Sequence, residues 1–152
     1  MTKYESLTME ATASGLSVSE MPLQHSDGMT YGRKIAIRAG QTSAEKACVL
    51  AEELSHAELT VGNILDQTSV SNRKQENIAR AKAYDRLIGL SGLVNAFEHG
   101  CKTYFETAEY LEITEEFLRE AMEHYRKRYG CCVRFKNYTI HFEPRFAIVK
   151  FF

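Results

Sequence analysis

The chain has 152 residues, 44% of them apolar, with a formal net charge of −1 at pH 7. That suffices for one compact domain, or a small domain with an appendage, around a real core. The near-neutral balance excludes a global field that would draw the protein to nucleic acid or an acidic membrane. No apolar run approaches the ~20 residues of a membrane span, and Glu5 and Glu10, with no apolar stretch beside them, argue against a signal peptide. The expected compartment is the cytoplasm. There Cys48, Cys101, Cys131 and Cys132, which fit no C-x-x-C zinc spacing, are expected to be ordinary reduced thiols, with Cys48 in the core.

In chain order, residues 1–15 suggest a short amphipathic helix ending at Gly15. Leu16 to Met21 alternates and suggests a strand, Gln24 to Gly28 a turn, and Met29 to Arg38, with Ile35-Ala36-Ile37, a second strand ended by Gly40. Thr42, followed three residues later by Glu45, is a capping box that starts a helix. Ala44, Ala47, Cys48, Ala51, Leu54 and Ser55 give this helix a buried stripe. Asn63 to Asn72 reads as a connector, and a long helical segment runs from about Val70 to Leu90, interrupted by Gly89 and Gly92. Leu93, Val94 and Phe97 begin a short helix stopping near Gly100. Thr103 with Glu106 and then Thr114 cap two further helices; in the second, Phe117, Leu118, Ala121, Met122 and Tyr125 face inward and Gly130 marks the end. Val133 to Phe152 is rich in β-branched and aromatic residues, and Pro144 and Arg145 break it into a hairpin or two small strands.

The chemistry lies in the Thr42 helix. Leu50-Ala51-Glu52-Glu53-Leu54-Ser55-His56 is the H-E-x-x-H pattern of zinc peptidases with Glu52 in place of the first histidine. Glu52 and His56 stand four apart and share a helix face, so both can point at one ion. Glu53, turned by about 100°, takes the position of the general base. A helix–connector–helix hairpin would bring Glu76 back over the first helix as the third ligand. By itself, a glutamate pair ahead of a histidine is ordinary solvated surface on a helix. Two carboxylates and one imidazole neutralise a divalent ion, whereas two imidazoles and one carboxylate leave it at +1. The swap therefore implies a less acidified water, or a harder metal such as Mn2+ in place of Zn2+.

These motifs together resemble the ImmA/IrrE family of zinc metallopeptidases, especially the short forms carried by phages and integrated elements of Gram-positive bacteria. The resemblance covers nearly the whole chain. Ile35 to Arg38 and Thr42 to Lys46 look like the family's strand and the start of its helix, and Leu50 to His56 like its active-site helix. Gly62 to Asp66 and Asn72 to Glu76 look like its connector and second helix, Ala79 to Ile88 continues that helix, and Tyr138 to Pro144 is similar to the short forms. The resemblance implies an α+β fold: a mostly helical zincin-like core with a small N-terminal β-sheet, a helix-turn-helix-like hairpin and a short C-terminal β-hairpin. The implied division is a metallopeptidase-like domain over 1–100, the helical hairpin over 101–130 and a C-terminal β segment over 131–152. The metal set it implies is Glu52, His56 and Glu76, with Glu53 as catalytic base and Zn2+ or Mn2+ as cofactor. Tyr84 and His141 are candidates to steady the oxyanion, with packing as their simpler role. The implied substrate is a helix-turn-helix repressor of a prophage or mobile element. The alternative is a catalytically impaired relative that binds such a regulator without cutting it. DNA binding is not expected, because the second hairpin helix opens on Thr114-Glu115-Glu116, whose carboxylates repel phosphates. The sequence leaves the oligomeric state open.

Overall fold

The computed structural model describes residues 1–62 and 69–152, with side chains other than those of residues 60–72. The chain is α+β and forms two compact units, Met1–Arg86 and Leu87–Phe152. In the first, α1 (Lys3–Ala13) precedes β1 (Ser17–Met21), β2 (Gly28–Tyr31), β3 (Lys34–Arg38), α2 (Ser43–Gly62) and α3 (Ser69–Leu87). Of the expected connector, residues 63–68 lie outside the described residues, and so does most of the Gly62 to Asp66 motif.

The sheet of this unit has the order β1-β3-β2, with β1 parallel and β2 antiparallel to β3. The single strand expected over Met29 to Arg38 is two strands. Gly32, at φ +59°, turns the chain back after Tyr31, and Gly28 belongs to the first of them rather than to the preceding turn. The hairpin sets the parity of every residue in it. Gly28 pairs with Ile37 and Thr30 with Ile35, so these four share one face of the sheet. Ile35 and Ile37 are buried, so that face looks inward. It packs on α2, which also receives α1. Leu7 and Ala11 from α1 join Ala47, Leu50, Ala51 and Leu54 from α2 in the core.

α2 begins where Thr42 and Glu45 exchange hydrogen bonds, the Glu45 amide donating to Thr42 Oγ1 at 3.1 Å and the Thr42 amide to Glu45 Oε1 at 3.0 Å. In α3, Ala79, Ala83 and Tyr84 are buried. Near its end Arg86 holds Glu10 of α1 and, at 2.5 Å, Glu58 of α2. One guanidinium thus ties three helices at a fixed level, its fork matching two carboxylates at once.

The second unit begins with α4 (Gly89–His99), α5 (Tyr104–Leu111) and α6 (Glu115–Tyr129). α4 starts earlier than expected and runs through Gly92, which is buried close to Leu111. Thr103 and Thr114 cap α5 and α6, accepting from the Glu106 and Phe117 amides. Phe117, Leu118, Ala121, Met122 and Tyr125 are all buried. The C-terminal hairpin, β4 (Cys132–Phe135) with β5 (Tyr138–His141), is extended by a third antiparallel strand, β6 (Ala147–Lys150). Its inner face carries Tyr138 and Ile140, both buried. Cys48 is buried, and all four cysteines are free thiols. No helix among the described residues is long and apolar enough to cross a membrane.

Candidate active site

α2 carries three of the four candidate residues on neighbouring turns, and α3 carries the fourth. His56 Nε2 lies 3.0 Å from Glu76 Oε2. Two ligands bound tetrahedrally to one zinc at about 2.1 Å stand roughly 3.4 Å apart, so this imidazole and this carboxylate already meet at nearly the spacing an ion would impose. Both are open to solvent, with side-chain exposures of 29% and 44%, and water can reach them. The other oxygen of Glu76 faces Arg80, one turn on, at 3.5 Å. That contact is long and exposed and contributes little by itself.

Glu52 lies one turn before His56 and is half-buried. The donor chemistry of Glu52, His56 and Glu76 suits a divalent cation in kind, two hard oxygens and one nitrogen. The geometry brings His56 and Glu76 together; among the described residues no three His, Cys, Asp or Glu side chains converge tightly enough to hold a metal as they stand. Of the two candidates for the oxyanion, Tyr84 is buried in the core of the first unit, and His141 is half-buried on β5 of the second.

Glu53 is held from the sheet side. Thr30 Oγ1 donates to Glu53 Oε2 at 2.5 Å and also lies 3.3 Å from the Glu53 carbonyl oxygen. Gly28 sits beside it: a Cβ there would come within 2.5 Å of Val49 Cγ1 and 3.2 Å of Glu53 Cγ. The backbone of β2 therefore seats directly on the stem of Glu53. β2 is an edge of the described sheet, so its far side is not paired within it. Sequence reasoning did not single out Gly28 or Thr30. The available signal was Gly32-Arg33 between two short β-prone runs, which marks a two-residue turn and so puts Thr30 on the face of Ile35.

The site consists of a glutamate pair and a histidine on one helix, a third glutamate meeting that histidine from the next helix, and an edge strand laid against Glu53. No curated protein matches the chain significantly. Over residues 11–127 the chain matches the family described as the IrrE N-terminal-like domain, peptidase family M78. That span takes in the β1-β3-β2 sheet, α2 to α5 and nearly all of α6, and the chain is therefore a member of the M78 family of IrrE-like peptidases.

Proposed function

We propose that the chain is a metal-dependent endopeptidase that cleaves a helix-turn-helix repressor of a prophage or mobile element in the cytoplasm. Membership of the M78 family supports a peptidase acting on protein, and one observation supports the metal-dependent part of the reading: the 3.0 Å approach of His56 Nε2 to Glu76 Oε2, with His56 one helical turn from Glu53. The repressor as substrate rests on the family resemblance of the sequence. Glu52, His56 and Glu76 would hold Zn2+ or Mn2+, with Glu52 turning in as the third donor. When bound, the ion supplies an acidified water and an electrophile for the scissile carbonyl. Glu53 takes a proton from the attacking water at a carboxylate oxygen and returns it to the nitrogen of the leaving amine. The side of β2 that is unpaired among the described residues would give an extended substrate backbone a place to pair next to Glu53. Two carboxylates leave the centre neutral, which favours Mn2+ more than a two-histidine site would.

The test is incubation of the purified chain, loaded with Zn2+ or Mn2+, with helix-turn-helix repressors from the genome that encodes it. The reading predicts one or a few discrete cuts, lost on chelation. A second reading, a relative that binds the repressor without cutting it, draws on Glu52 standing where the H-E-x-x-H pattern has a histidine. It predicts a stable complex and an intact repressor whichever metal is added.

A further inference from the structure

We propose that Thr30 is a positioning residue for the general base: its hydroxyl fixes the Glu53 carboxylate through Oε2, and Gly28 gives strand β2 the close approach that makes this possible. The inference rests on the peptidase reading above. Two independent contacts support it. The Thr30 Oγ1 to Glu53 Oε2 distance of 2.5 Å is at the short end for a hydroxyl donating to a carboxylate, the range of strong, charge-assisted bonds. The Gly28 backbone meanwhile presses on the same side chain near Cγ. A glutamate has three rotatable bonds, and on a helix surface its carboxylate would sample several positions. Here the stem is confined by β2 and the head is tied to it.

The hydroxyl has one proton to give. At 2.5 Å that proton goes to Oε2, and the 3.3 Å approach to the Glu53 carbonyl is secondary. Oε1 is then the oxygen that receives the proton of the attacking water and later releases it to the amine. Thr30 touches neither substrate nor ion and loses no proton in the cycle. Its contribution is orientation, for which misplacement by about 1 Å can cost roughly 100-fold in rate. Because Thr30 shares a face with Ile35 and Ile37, the core of the sheet fixes the height at which the hydroxyl meets the base.

The experiment combines Thr30→Val, which keeps the shape and removes the hydroxyl, with Thr30→Ser, which keeps the hydroxyl. With a repressor that the wild-type chain cuts as substrate, Thr30→Val should lower kcat by about 10- to 100-fold with KM and bound metal unchanged, and Thr30→Ser should restore most of the rate. The second readout needs neither metal nor activity. NMR of the metal-free wild-type chain should show a slowly exchanging Thr30 hydroxyl proton that disappears in Glu53→Ala. A Thr30→Val enzyme with wild-type kcat, or a Thr30 hydroxyl proton that exchanges freely in the wild type, overturns the proposal. A hydroxyl proton that is protected in a chain unable to cut any repressor overturns the peptidase reading instead, and leaves the Thr30–Glu53 hydrogen bond a structural tie between β2 and α2.

Discussion

At Gly28 a single methyl group would land 2.5 Å from Val49 Cγ1, with Glu53 Cγ and the Ala36 carbonyl just beyond. Little in that shell can yield without lifting β2 from α2. Gly28→Ala should therefore cost about 1–3 kcal/mol, the usual range for overpacking, read as a lower urea midpoint at unchanged slope. Stability equal to the wild type contradicts this seating of the strand. Glu53→Gln keeps the size of the side chain and its ability to accept from Thr30, and removes the proton acceptor. It should reduce repressor cleavage by about 100- to 10,000-fold, the range for loss of general base catalysis, with the same metal content by elemental analysis. Cleavage within a few fold of the wild type would remove Glu53 from the base role.

Among the elements, α2 is the platform and α3 the arm that brings Glu76 to it. Thr42 starts the platform: Thr42→Ala removes one partner of the capping box and should cost about 1 kcal/mol, measured by thermal or urea unfolding. Arg86 sets the arm. It is only 16% exposed and holds one carboxylate from α1 and one from α2. Arg86→Ala should cost on the order of 1–2 kcal/mol, between the ranges for exposed and buried pairs, and should weaken metal binding through Glu76 although Arg86 touches no site residue. Metal affinity unchanged in that variant would mean α3 is fixed by its alanine face alone. The helices were legible in the sequence because their signals are local: Thr42 with Glu45, Thr114 ahead of the Phe117–Tyr125 stripe, Gly100 and Gly130 at their ends. The spacing of Glu52, Glu53 and His56 was legible for the same reason. The strands were less so. β2 and β3 read as one run because the apolar pattern of Ile35 to Ile37 masked the turn at Gly32. The support of Glu53 by Thr30 was invisible because it spans 23 residues and depends on strand parity. β4 and β6 are short and half-exposed, so their pattern was too weak to separate three strands from two.

Across the whole molecule, the pH response follows from carboxylates stabilised in the folded state. Hydrogen bonds from Tyr138 and from Lys150 hold Glu98 below its ordinary 4.5, and Lys46 does the same for Glu20. A carboxylate with a depressed folded value contributes stability that is present above the unfolded value and is lost as pH falls through the folded one. Stability should thus be level near neutrality and decline below about pH 4.5, and Glu98→Gln should flatten part of that decline. An acid profile unchanged in Glu98→Gln contradicts the assignment of this carboxylate. The central claim reaches further, to a divalent ion held where α2 and α3 meet. Elemental analysis of the chain purified without chelators tests it most directly, on the wild type, Glu76→Ala and Glu53→Gln side by side. The account predicts one zinc or manganese per chain in the wild type and Glu53→Gln and essentially none in Glu76→Ala. A wild-type chain without metal after incubation with either ion, or a Glu76→Ala chain that retains it in full, would contradict the account.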